Sequence, residues 1–219
     1  MSTLIRRGIY ALPAAGVLTA VPWLFILGGP SLQTDPDGYA RGLTSPTSAI
    51  AGDVYLAGFI CLLFGLLALY AHLVRTPAAS WAAGGMIVSV VGVAAALPVF
   101  GVFGLASAIL GDVYLAGHKD VTAAMLLMGG GTPSHRLNSY FGVLMLIALI
   151  GSIANAVAVW RSSTLSKWAG VLLVPGSVLS MTFGPLAWAG ALCLVVGGIG
   201  LARGADQAAD PSVMATSAA

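Results

Sequence analysis

Gly52-Asp53-Val54-Tyr55-Leu56-Ala57-Gly58 occurs a second time, unchanged, as Gly111-Asp112-Val113-Tyr114-Leu115-Ala116-Gly117. The likeness extends upstream, where Ser48-Ala49-Ile50 recurs as Ser107-Ala108-Ile109. Each copy sets one aspartate into sequence that is otherwise almost free of charge. A carboxylate in such surroundings is costly unless it caps a helix, finds a partner or faces water. The places open to these two aspartates therefore constrain how the apolar runs around them are cut into helices.

Those runs dominate the chain. Of 219 residues 58% are hydrophobic and 7% charged, and the mean hydropathy is +0.98. Soluble domains carry roughly a quarter of their residues as charged groups. This composition cannot cover a water-facing surface, and it points to a polytopic membrane protein. A net charge of +2 without any basic run gives nucleic acid no footprint. Glutamate is absent and the seven acids are all aspartates, which leaves little material for acid–base chemistry. Cys61 and Cys193 lie inside apolar runs and are expected to be buried free thiols.

Taken in order, the sequence predicts an all-α, polytopic transmembrane helix bundle: a six-helix domain over residues 1–203 and a disordered cytoplasmic tail over 204–219. The predicted spans are about 8–28, 49–73, 81–100, 137–160, 168–183 and 185–202. The first lacks a small-residue cleavage site and reads as uncleaved, bent at Pro13 and Pro22. Asp35-Pro36-Asp37-Gly38 reads as a turn in a polar connection. Gly85, Ser89, Gly92 and Ala96 form a small-residue stripe suited to close approach of another helix. Pro98 interrupts an apolar run too long for one span. The segment from there to Gly117 is expected to be a separate short interfacial helix on the outer face, carrying the second repeat copy. Gly184-Pro185 divides the last apolar stretch in two.

Six spans place Arg6, Arg7, Arg75, Arg161, Lys167 and Arg203 on one side, against Arg41, Lys119 and Arg136 on the other. The basic excess marks the cytoplasmic side, so both termini are expected there, in a multi-pass protein of the plasma membrane. Trp81, Trp160 and Trp168 then fall at the inner interface, Trp23 and Trp188 at the outer.

Two stretches carry a family resemblance. One is Leu69-Tyr70-Ala71-His72-Leu73-Val74-Arg75 with the Ala/Gly-rich helix that follows. The other is Val159-Trp160-Arg161-Ser162-Ser163 followed by Leu165-Ser166-Lys167-Trp168-Ala169-Gly170-Val171-Leu172-Leu173. Together, over about half the chain, they resemble a family of small bacterial six-helix integral membrane proteins whose domain has no known function. The resemblance implies the six-helix fold and brings no functional residue with it.

The candidate residues all lie toward the predicted outer face. Asp53 and Asp112 read first as first-turn helix caps, where a carboxylate takes up free N–H groups. The alternative is a two-carboxylate site formed by the two copies packing together. His118, Met125, Met128 and His135 follow a His-x6-Met-x2-Met-x6-His spacing. Thioether and imidazole donors suit copper(I), whereas methionines in apolar helices ordinarily fill gaps in packing. Asn155, Ser152, Ser177, Ser180 and Thr182 are expected to join helices by hydrogen bonds.

The reading favoured by these residues is a non-enzymatic accessory subunit or self-associating membrane module that needs no cofactor. Its expected partners are membrane lipid and other membrane subunits or a second copy of itself. The alternative is a transporter or carrier of a metal ion or small solute, using the outer-face His/Met/Asp cluster with copper.

Overall fold

The computed structural model describes the backbone of residues 3–26, 31–128, 135–182 and 185–208. The side chains of 23, 25, 26, 102–105, 126–128, 135–138, 141 and 185 lie outside that description. Among the described residues every regular element is helical: α1 (Thr3–Ile9), α2 (Ala11–Ile26), α3 (Pro36–Leu43), α4 (Pro46–Leu73), α5 (Ala79–Leu115), α6 (Thr122–Met128), α7 (His135–Ser162), α8 (Lys167–Leu179) and α9 (Pro185–Gln207). A single 3-10 turn, Lys119–Val121, precedes α6.

Five stretches are long and apolar enough to cross a membrane: Thr3–Pro22, Pro46–Leu73, Ala79–Leu115, Gly142–Ser162 and Leu186–Gln207. Their outward faces are as apolar as their inward ones. In α4, Phe59, Leu62, Leu66 and Leu69 are buried, while Ile60, Phe64 and Leu67 on the opposite side are exposed. A helix that is hydrophobic all round belongs in a core or a membrane. Helix length and composition thus put the chain among multi-pass membrane proteins.

Lipid is as apolar as leucine, so helices in it are held by close packing and interhelical hydrogen bonds. The stripe on α5 does this against α7. A Cβ on Gly85 would lie 2.6 Å from Asn155 Oδ1, and one on Gly92 would lie 3.0 Å from Ile147 Cγ2. Within the seam Asn155 Nδ2 donates to Ser89 Oγ at 3.0 Å. The seam between α2 and α9 is equally tight, since a Cβ on Gly16 would meet the Ala191 carbonyl at 2.7 Å.

Pro98 does not divide α5. The expected break and separate interfacial helix are replaced by one continuous helix of 37 residues, about 55 Å long at a rise of about 1.5 Å per residue. A proline inside a helix removes one donor and crowds the carbonyls of the preceding turn. The Ala94 carbonyl loses its helical donor at Pro98, and at the adjoining carbonyl, Ala95, Tyr140 of α7 donates its hydroxyl at 3.1 Å, tying the proline turn to the neighbouring helix. In the first span the chain does turn, at Tyr10 between α1 and α2, three residues before Pro13.

Asp35-Pro36-Asp37-Gly38 opens α3 rather than forming an isolated turn. Asp35 is the N-cap and accepts from the Gly38 amide at 2.8 Å, with Pro36 at the first helical position. The same residue types serve turns and helix starts, and the amphipathic Tyr39–Leu43 segment decides for a helix. Of the segment 204–219 expected to be a tail, residues 204–207 belong to α9 and 209–219 lie outside the described residues. α9 continues to Gln207, held by an Arg6–Asp206 ion pair at 3.3 Å and by Tyr10, whose hydroxyl donates to Asp206 at 2.8 Å.

Those contacts bring the two ends of the described chain to one end of the bundle. His72 lies 3.3 Å from the Thr164 hydroxyl, and a Cβ on Gly204 would meet Leu165 at 3.4 Å. Arg6, Arg7, Arg75, Arg161, Lys167 and Arg203 therefore gather there. The opposite end carries α3, the end of α5, the 3-10 turn and α6.

Candidate functional site

The platform at that opposite end holds most of the candidate residues. Its base is a small apolar cluster separate from the main core: Leu32, Ala40, Tyr114 and Met125, flanked by Tyr39, Leu43, Leu110 and Val121. α3 lies against the end of α5 because Gly111 has no side chain there; a Cβ would come within 2.8 Å of the Ala40 carbonyl. α5 then stops at Gly117, which adopts φ +102°. The Gly117 amide donates to the Tyr114 carbonyl at 3.1 Å and the His118 amide to the Val113 carbonyl at 3.2 Å. This pair of bonds with a left-handed glycine is a Schellman ending, which satisfies the last carbonyls of a helix.

The ending aims Lys119 back over the platform. Its ammonium lies 3.6 Å from the centroid of the Tyr114 ring and 2.9 Å from Asp37 Oδ1. The hydrogen bond and charge of Lys119 hold the Asp37 carboxyl below its usual value, and the Tyr114 hydroxyl lowers it further. The hydrogen bond to Asp37 in turn raises Lys119. Burial against the same platform raises the Tyr39 hydroxyl.

Met125 is fully buried in the apolar base, while His118 is exposed above it. The side chains of Met128 and His135 lie outside the described residues. Met125 thus has the surroundings of a packing residue, and the exposed His118 is not part of that cluster. Among the described residues no three His, Cys, Asp or Glu side chains converge. Cys61 and Cys193 are free and half-buried.

The two aspartates are not first-turn caps. α4 begins at Pro46 with Ser45 as its N-cap, accepting from the Ser48 amide at 3.2 Å. Asp53 therefore lies about two turns inside the helix. Asp112 falls in the last turn of α5, where the Ala116 amide bonds to its backbone carbonyl at 2.9 Å. The side-chain caps belong instead to Asp35 on α3 and Ser45 on α4. Both repeat aspartates are exposed, and among the described residues neither side chain takes a hydrogen bond or ion pair.

The tyrosines of the repeat carry the contacts. Tyr55 is buried and donates its hydroxyl to the Ser180 carbonyl, at the end of α8, at 2.6 Å. Its ring meets Phe59 and Phe100 edge-on at 5.1 and 5.3 Å. Composition alone could not single it out, because nothing local marks its partner 125 residues away. The other polar groups of the interior mostly bond to their own helix, as Thr19 does to the Ala15 carbonyl at 2.9 Å and Ser162 to Val159 at 2.8 Å. Asn155, as expected, joins two helices.

Comparison with protein families, with curated proteins and with solved structures returns no match for this chain.

Proposed function

We propose that this protein is a plasma-membrane bundle with six crossings and both termini cytoplasmic, acting as a non-enzymatic accessory subunit or self-associating module. The parity of the crossings supports the topology. Arg6 near one terminus pairs with Asp206 near the other, which an even number of crossings between them accommodates. Five long helices alone would separate the ends. The short apolar helix α8, Lys167–Leu179, runs out from the terminal end and α9 returns to it, which restores the parity. Six basic side chains gather at that end, as cytoplasmic loops require.

The observation that carries the functional reading is the close packing of two helix seams. Glycine-mediated contacts at Gly85 and Gly92 between α5 and α7, and at Gly16 between α2 and α9, bring the helices into direct contact. In the first seam Asn155 and Ser89 bond to each other, and Thr19 of α2 bonds to its own helix. Met125 in its apolar base supports packing over copper ligation.

Two measurements test the proposal. In a chain carrying Cys61→Ala and Cys193→Ala, Ala123→Cys should react with an impermeant thiol reagent in intact cells and Ser166→Cys should not; labelling of Ser166→Cys in sealed cells overturns the topology. In mild detergent, the protein mass by light scattering should exceed the 22.0 kDa chain through a second copy or a stoichiometric partner. A lone chain, or one that retains a copper ion lost on Met125→Leu/Met128→Leu substitution, overturns the module reading.

A further inference from the structure

A groove opens sideways between α5 and α7 at the terminal end of the bundle. It has a volume of about 360 Å³ and is lined by Ser80, Trp81, Gly84, Val88 and Ala154. Small-molecule clefts start at ~300 Å³. Its floor is apolar, and Gly84 borders the open space, since a Cβ there would meet nothing within 4 Å. From Trp81 to Val88 the groove runs along about two turns of α5, from the bundle end toward its middle.

The mouth has a different chemistry. Trp81 is 44% exposed, and the Arg161 guanidinium lies 5.7 Å from its ring centroid. Lys167 lies 5.4 Å from the neighbouring Trp160 ring, and Trp168 is 75% exposed. Indoles with basic side chains at one level mark a membrane–water interface. The described acid at this end, Asp206, is already paired with Arg6, so among the described residues no carboxylate neutralises Arg161 beside the groove-lining Trp81.

We propose that this groove is a binding site for an anionic phospholipid, with its phosphate on Arg161 and one acyl chain lying over Gly84 and Val88. An apolar trough that opens laterally fits a chain, and a cationic rim selects the headgroup. The site rests on the reading that this end of the bundle meets a membrane surface, and it adds a ligand that a packing module does not require. The charge complementarity separates a bound anionic lipid from the neutral lipid that coats any membrane helix.

The test uses vesicles of phosphatidylcholine containing either brominated phosphatidylglycerol or brominated phosphatidylcholine. The protein keeps Trp81 as its one tryptophan, through Trp23→Phe, Trp160→Phe, Trp168→Phe and Trp188→Phe. Quenching of Trp81 should favour the brominated phosphatidylglycerol. Arg161→Gln should reduce that preference about five-fold, the effect of one basic side chain at an anionic surface; Arg161→Lys should retain it. Gly84→Leu, which fills the groove, should abolish it, and Arg41→Gln at the other end should leave it unchanged. Equal quenching by the two lipids, or a preference untouched by Arg161→Gln, overturns the site alone. Absence of quenching by either lipid overturns both the site and the membrane placement of this end. A second measurement spares the tryptophans: the full chain, extracted in mild detergent from mixed vesicles, should retain phosphatidylglycerol over phosphatidylcholine, and Gly84→Leu should not.

Discussion

The two copies of Gly-Asp-Val-Tyr-Leu-Ala-Gly have one sequence and two fates. In the first copy the helix continues through Gly58 for another 15 residues, to Leu73. In the second it ends two residues before Gly117, which turns left-handed. The residues that follow decide between them. Phe59-Ile60-Cys61-Leu62 gains by remaining helical, because Phe59 and Leu62 enter the main core. His118-Lys119-Asp120 has nothing to bury, and Lys119 instead reaches back to Asp37 and Tyr114. Local sequence supplied a helix with a glycine that could either be crossed or used as a stop. Tertiary context chose, as it ordinarily does over intrinsic propensity.

The glycines give the sharpest way to break this comparison. At Gly58 a Cβ would lie 2.7 Å from Thr19 Cγ2 and 3.1 Å from the Thr19 amide nitrogen, so a side chain drives α4 from α2. Gly58→Leu should cost about 3 kcal/mol or more, at the upper end for overpacking. At Gly117 nothing lies within 4 Å, and Gly117→Leu meets only the left-handed backbone, at about 1–2 kcal/mol. Thermal midpoints in one detergent compare the two directly. Equal losses, or a larger one at Gly117, would mean that the two glycines do not play these separate parts.

The tyrosines sharpen it at smaller scale. Tyr55→Phe leaves the Ser180 carbonyl without that donor at a buried helix end, a loss of about 1–3 kcal/mol. Tyr114→Phe keeps the ring under the Lys119 ammonium and loses only a hydroxyl contact with the exposed Asp37–Lys119 pair, so it should cost less than Tyr55→Phe. Hydrogen exchange locates the first effect: amides of Met181 and Thr182, which close the end of α8, should exchange faster in Tyr55→Phe. Unchanged exchange there would sever the first copy from α8.

Much of the fold was legible because it follows from patterns read within one helix. All-round apolarity marks the helices long enough to cross a membrane, and the Gly85/Ser89/Gly92 stripe calls for a close neighbour, which is α7. The misreadings share another cause. Pro98 looked like a break because the donor that supports its turn, Tyr140, comes from another helix. The repeat aspartates read as caps because apolarity alone starts their helices at about 49 and at the interfacial segment, whereas the helices begin at Pro46 and Ala79. The candidate site drew on residue types with ligand chemistry, whereas the contacts fall to Tyr55, Tyr114 and Lys119, whose partners lie far off in sequence.

The smallest expected effect is one of pH, and it belongs to the second copy alone. Asp37 is held below its usual carboxylate value by Lys119, and Lys119 is raised by Asp37. A depressed acid adds stability above its unfolded value and loses it as pH falls through the folded one. A raised base adds stability below its unfolded value and loses it as pH rises through the folded one. The strap from Lys119 to Asp37 is therefore whole at neutral pH and weakens in acid as the Asp37 carboxyl takes up its proton. Both side chains are exposed, so the effect is modest and shrinks with added salt. Hydrogen-exchange protection factors, which remove the intrinsic pH dependence of exchange, should fall between about pH 5 and pH 2 over Val113–Gly117 and stay level over Val54–Gly58. Asp37→Asn should flatten the first profile to match the second. A parallel fall in both copies would place the acid sensitivity in the bundle as a whole and remove the strap as its cause.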